Sequence, residues 1–141
     1  MKTNSSIIQV SEEVRDALAS NRAVVALEST IFSHLGLPSP ANAQALTNCI
    51  AAIREAGAVP AITAVIDGVA RVGINESEHE RILGPAKKVG EREIALAVAQ
   101  RWSVGATTVS ASLLLASCSF NDTSATEIYT GEDTLSLHDA L

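Results

Sequence analysis

Apolar residues in this chain change period several times, and each change predicts an element. In SEEVRDALAS, residues 11–20, Ser11 stands before Glu12 and Glu13, and Val14, Leu18 and Ala19 then recur on one helical face. A hydroxyl and two acids suit the positive N-terminal end of a helix. Asn21 and Arg22 close it, and the unbroken apolar run at 23–27 predicts a strand that ends on Glu28 and a turn-rich loop. Ser39 is placed to cap a second helix with Pro40 at its first position, and Leu46, Cys49, Ile50 and Ile53 keep helical spacing until Gly57. Residues 58–66 read as a buried strand, and Asp67-Gly68 as a hairpin turn into a strand over 69–74. Asn75 with Glu78 is a capping arrangement for a short helix. After the break at Gly84-Pro85, residues 91–102 predict a helix with Ile94, Leu96, Val98 and Trp102 available for burial. Residues 105–109 predict a short strand that runs into an apolar helix over 110–117.

Strands separated by helical patterns imply βα units, hence an α/β fold with a largely parallel sheet. The 141 residues are 47% hydrophobic and only 3% aromatic, so one domain with an aliphatic core is expected. The net charge of -6 and the absence of a basic cluster longer than Lys87-Lys88 argue against a nucleic-acid partner. No stretch approaches the ~20 apolar residues of a membrane span, and the N-terminus has no apolar signal region; a cytoplasmic protein is expected. Cys49 and Cys118 form no CxxC pair and have no histidine at ligand spacing, so neither a zinc site nor a disulfide framework is suggested. Cys49 falls on the apolar face of the second helix.

In parallel sheets chemistry gathers at the carboxyl ends of the strands. Three candidates fall there: Glu28, Lys88 and the pair Thr107-Thr108. A carboxyl that follows an apolar run is partly desolvated, which raises its pKa and suits a general acid; it equally suits a strand-end acceptor for loop N–H groups. Lys88 can bind phosphate, form an imine or stay solvated. Thr107 and Thr108 precede a helix, where hydroxyls and free N–H groups can hold an anion or cap the helix. His34 lies in the loop after Glu28, where it can orient a substrate or act as a loop hydrogen-bonder. His79, among charged neighbours, has no assigned role, and no metal-ligand set stands out.

The blocks VALESTIFSHLGLPSPANAQ, REAGAVPAITAVIDGVARVGI, KKVGEREIALAVA and GATTVSAS, collinear from about residue 10 to 115, resemble the pseudouridine-5'-phosphate glycosidases. The resemblance implies reversible cleavage of the C–C glycosidic bond of pseudouridine 5'-phosphate to uracil and ribose 5-phosphate. It implies an α/β/α fold around a mixed sheet, a homotrimer and a manganese ion. Residue by residue, Glu28 matches the family's proton donor, Lys88 a substrate-binding lysine and Val109 a substrate contact, with Thr108 beside it. The partner is then a small nucleotide.

The family pattern continues with a strand, a Gly-rich loop, a metal-ligand aspartate and an imine-forming lysine that find no match here. Residues 1–120 are therefore expected to be the N-terminal part of one such domain, incomplete on its C-terminal side and leaving sheet edges uncovered. Residues 121–141, ending GEDTLSLHDAL, read as a divergent, non-native tail that resembles translated sequencing-adapter sequence. A metal site built on His138 and Asp139 has no scaffold or second ligand cluster behind it. Two functions follow: a glycosidase fragment that is inactive by itself, or a catalytically dead module that binds a sugar phosphate.

Overall fold

The computed structural model describes residues 7–120 and the backbone of two further strands, Glu127–Tyr129 and Thr134–Ser136. The rest of 121–141, including His138 and Asp139, lies outside the described residues.

β1 (Ile8–Val10) leads into α1 (Glu12–Ala19), which starts as the pattern predicts: Ser11 is extended and its hydroxyl accepts from the Val14 N–H at 3.3 Å. β2 (Val24–Leu27), a 3-10 turn at Thr30–Phe32 and α2 (Ala41–Glu55) follow. β3 (Val59–Ile66) and β4 (Val69–Val72) form the expected hairpin. Asp67 and Gly68 both have positive φ, 50° and 77°, the combination whose twist matches that of paired strands. Asn75 and Glu78 complete the expected capping box over a 3-10 turn that continues into α3 (His79–Ile82). Beyond it come β5 (Lys87–Val89), a 3-10 turn at Glu91–Glu93, α4 (Ile94–Ala99), β6 (Val104–Thr107) and α5 (Val109–Ser119). β7 (Glu127–Tyr129) and β8 (Thr134–Ser136) complete the set.

Three details depart from expectation. Pro40, not Ser39, holds the N-cap position of α2; the Ser39-Pro40 peptide is cis and no side chain caps the helix. The helix expected over 91–102 is a 3-10 turn plus a shorter helix, because Arg101 takes a positive φ of 53° that ends it. Leu96 is 45% exposed: Ile94 and Ala97 face the core, and a residue two positions after the first points away from it. The edge of β2 away from β3 is paired with β7 through Ala26 and Ile128.

Parallel pairings join β1 to β4, β2 to β3, β5 to β6 and β2 to β7; antiparallel ones join β3 to β4, β3 to β6 and β7 to β8. The sheet is therefore mixed and largely parallel. β3 is its spine. Its alternate residues enter two apolar clusters, Val59, Ala61 and Val65 in one and Ile62, Ala64 and Ile66 in the other. The first is covered by Val14 and Ala17 of α1, Ile94 and Ala97 of α4 and Leu115 of α5. Leu46 of α2, Ile82 of α3 and Phe32 cover the second, with Cys49 packed at its margin as the helical spacing predicts. Helices on both faces make this the expected α/β/α arrangement, and a strand buried on both faces reads as an unbroken apolar run.

One buried polar side chain fastens the turn after β2 to the second face. Asn42, 2% exposed, donates through Nδ2 to the carbonyls of Phe32 at 2.9 Å and Leu83 at 3.0 Å. Asn42→Ala leaves both carbonyls without that donor, and a loss of about 2 kcal/mol in unfolding free energy is expected. Urea denaturation of the two proteins checks it.

Candidate active site

Val65 pairs with Ala70 on one edge of β3 and with Gly105 on the other, so β6 runs along the edge of β3 that β2 also occupies. β2 takes the first half of that edge, through Ile62, and β6 takes the second half from the opposite direction, from Ala64 on. Their carboxyl ends therefore meet beside Thr63. Two strands that collide end-on leave backbone groups that no ladder can satisfy, and here side-chain hydroxyls take them up.

Ser29, Thr63, Thr107 and Ser112 are each 2% exposed or less. The Thr107 hydroxyl donates to the Thr63 carbonyl at 2.7 Å, and the Thr63 hydroxyl to the Leu27 carbonyl at 3.1 Å. That leaves Ser29 to donate to Thr107 Oγ1 at 3.1 Å and Ser112 to Thr63 Oγ1 at 2.6 Å. In this arrangement each of the four protons is used once, and Thr63 Oγ1 and Thr107 Oγ1 also stand 2.8 Å apart, so every hydroxyl of the cluster has a partner. The Thr107 N–H donates to Ser29 Oγ at 2.9 Å and the Ser29 N–H to the Thr107 carbonyl at 3.0 Å, so the loop after β2 is tied to the end of β6 twice.

Glu28 is the residue before this tie. Its carboxyl is half-buried, and burial pushes its pKa up from the usual value of 4.5, opposed by the N–H groups of Ile31 and Thr30 and by the Thr30 hydroxyl. The Ile31 N–H reaches Oε1 at 3.3 Å. The loop beyond is tight: a Cβ on Gly36 would sit 2.4 Å from the Ile31 carbonyl oxygen, so only glycine fits there. Ile31 and Leu35 stand exposed on its rim.

Lys88 lies on β5 opposite Ala106, exposed and in no ion pair with another described residue. Its neighbour Lys87 is spent differently, 4.7 Å from the centre of the Trp102 ring. Thr108 caps α5, accepting from the Ala111 N–H at 3.5 Å, and its own N–H donates to the Val89 carbonyl at 2.9 Å. Val109 is the first residue of that helix and is partly buried. Glu28, Lys88, Thr108 and Val109 thus stand one residue from backbone bonds that join the ends of β2, β5 and β6, and share one end of the sheet.

Of the pair Thr107-Thr108, offered as anion holders or as strand end and helix cap, the second reading describes the structure: the Thr107 hydroxyl is committed inside the sheet at the end of β6 and Thr108 caps α5. Ser29, Thr30, Thr63 and Ser112 were missed altogether; the available signal was a hydroxyl set inside an apolar run, as in AITAVI and SASLLLAS. His34 is exposed on the loop, its N–H bonded to the Gly84 carbonyl at 3.1 Å. His79 lies elsewhere, on α3, its pKa lowered by burial. A hollow of about 790 Å³ between α1 and α2, with Glu13 and Arg54 paired on its wall, contains none of the four candidates. Among the described residues no three of His, Cys, Asp or Glu come together as metal ligands, and no helix is long and apolar enough to cross a membrane.

The family model described as "Indigoidine synthase A like protein" matches residues 13–126. The chain is 47% identical over 115 residues to a protein of Arabidopsis thaliana named pseudouridine-5'-phosphate glycosidase, covering 79% of this chain and 34% of that one. It is 43% identical over 120 residues to the Escherichia coli protein of the same name, covering 82% and 38%. The chain thus spans about a third of the length of these relatives. Among solved structures it resembles the prealnumycin C-glycosynthase in complex with ribulose 5-phosphate, with a TM-score of 0.69 and 33% identity over 81% of this chain and 36% of that one. An indigoidine synthase A-like protein from Thermotoga maritima also matches at a TM-score of 0.69, with 27% identity over 99% of this chain and 46% of that one. The chain belongs to the indigoidine synthase A-like family, and is related over most of its length to proteins named pseudouridine-5'-phosphate glycosidase.

Proposed function

We propose that this chain carries the proton-donating part of a pseudouridine-5'-phosphate glycosidase, a C–C lyase that releases uracil and ribose 5-phosphate reversibly. The observation that carries the reading is Glu28: a half-buried carboxyl with a raised pKa, at the carboxyl end of β2, beside the ends of β5 and β6. Burial favours the protonated form of this carboxyl, which suits it to give a proton to the ring oxygen as the ribose opens. Lys88, exposed across β6, would bind the sugar phosphate as a point charge, with Thr108 and Val109 lining the approach at the start of α5. Cleaving a bond to uracil carbon also needs an electron sink, and the family's imine-forming lysine has no match among these residues.

A homotrimer in the cytoplasm belongs to the same proposal. The manganese ion that the resemblance implies finds no fit among the described residues, which bring no three donor side chains together, and no step here runs through it. A module that binds sugar phosphate without catalysis draws on the exposed Lys88 alone.

The test joins residues 1–115 to the remainder of the Escherichia coli relative and follows uracil release from pseudouridine 5'-phosphate. The hybrid is expected to be active, Glu28→Gln to lower kcat by about a hundredfold or more, and the 141 residues alone to release no uracil. A folded hybrid whose Glu28→Gln form keeps full activity would refute the assignment, and turnover by the 141 residues would refute the need for the unmatched lysine.

Stability gives an independent reading. Because the folded pKa of Glu28 lies above 4.5, the unfolded chain binds fewer protons between the two values, and stability falls as pH rises through the folded pKa. Glu28→Gln removes that cost. Its Tm is expected to match the wild type below the ordinary carboxylate range and to exceed it increasingly as pH rises through the folded pKa of Glu28, which differential scanning calorimetry against pH measures.

A further inference from the structure

Ile31 is an apolar side chain that the fold holds in the open beside an acid. It is 43% exposed, yet its backbone is committed on both sides: its N–H donates to Glu28 Oε1 at 3.3 Å and its carbonyl accepts from the Leu37 N–H at 2.9 Å. Gly36 packs against that carbonyl too closely for any Cβ. The neighbouring residues are tied as well. The Thr30 hydroxyl donates to the Thr107 carbonyl at 2.9 Å, the Ser33 hydroxyl to the Thr30 carbonyl at 2.8 Å, and Asn42 to the Phe32 carbonyl. The turn is thus fixed in a form that leaves Ile31 outward. Its Cβ stands two covalent bonds from the nitrogen that touches the acid, hence within about 6 Å of Glu28 Oε1.

The substrate of the proposed reaction has a matching order of parts. Its ribose ring oxygen, the atom that Glu28 would protonate, is bonded to two carbons: one carries uracil and the other leads to the phosphate. A group at the ring oxygen therefore has the base on one flank and the phosphate on the other. Lys88 marks the phosphate flank. Val89 packs into the first apolar cluster, so Lys88, one residue earlier on β5, faces the other side of the sheet, the side that Phe32 covers. Thr30 is anchored on the end of β6, and β5 lies beyond that strand. The base flank then falls to the turn itself, where Ile31 is the exposed apolar side chain bound to the acid through its own N–H. Uracil is planar and uncharged, and an aliphatic side chain that covers part of its face removes apolar surface from water. Leu35, 50% exposed on the same loop, bonds Ser33 Oγ through its N–H and not the acid.

We propose that Ile31 is a specificity-determining residue for the base: its exposed side chain packs against the face of uracil while the ring oxygen of the same substrate meets Glu28. The contact makes and breaks no covalent bond. The identity of the reaction rests on the glycosidase reading above; an apolar subsite for the base beside Glu28 does not.

That difference sets the experiment. In the 141-residue protein with labelled isoleucine methyl groups, the Ile31 signal, identified by its loss in Ile31→Val, is followed by NMR during titration with uracil and, separately, with ribose 5-phosphate. Uracil is expected to move it and ribose 5-phosphate to leave it in place. A signal that stays still with uracil, or moves equally with both, would overturn the assignment. In the hybrid enzyme, run in the direction of synthesis, Ile31→Ala is expected to raise the KM for uracil about tenfold with the KM for ribose 5-phosphate unchanged, and Leu35→Ala to change neither. Equal changes in both KM values, or the same rise in Leu35→Ala, would show a general effect of the loop surface and reject the base contact. An Ile31 signal that answers to uracil, beside a folded hybrid that makes no pseudouridine 5'-phosphate, would keep the subsite and reject the glycosidase reading.

Discussion

Everything at the functional end of this molecule depends on how two strands that collide are joined. β2 and β6 approach each other along one edge of β3, and neither can continue the other's ladder. Four buried hydroxyls close the gap, each donating once, and the Ser29 and Thr107 backbones exchange with it. Buried hydroxyls are costly unless every one is satisfied. Here they are, so the network selects one arrangement of the loop that carries Glu28, and Thr30 and Ile31 inherit their positions from it.

The division of labour between neighbours follows from that constraint. Ser29 points into the sheet and is fully buried, while Glu28, one residue earlier, stands just past the end of β2, half-buried with an elevated pKa. Thr107 likewise points inward and leaves Thr108 to cap α5 at the surface. Lys87 lies over Trp102, while Lys88, next along the strand, carries no such partner among the described residues. In each pair one residue builds and the adjacent one is available for chemistry, which is the alternation of a strand carried just past its end.

Much of this was legible in the sequence because local rules agreed with the fold. The Ser11 cap, the Asp67-Gly68 turn and the Asn75-Glu78 box depend on a few consecutive residues and were all found. β1 and β5 escaped because three residues such as Lys87-Lys88-Val89 hold too little pattern, and pairing with β4 or β6 decides their conformation. Glu28 could be singled out, since a carboxylate ending an apolar run is a local signal. The partners that orient it could not: Ser29 and Thr107 are 78 residues apart, and Thr63 is 44 from Thr107. A lone threonine in AITAVI reads as strand propensity until the topology supplies its neighbours.

The most direct test of this dependence is hydrogen exchange in Ser29→Ala, which removes one oxygen from the hydroxyl network and leaves the acid untouched. Faster exchange is expected across residues 28–33 and at the Thr107 amide, with the protection of β3 and β4 retained. Unchanged protection in both segments would contradict the view that the buried hydroxyls hold the Glu28 loop in place.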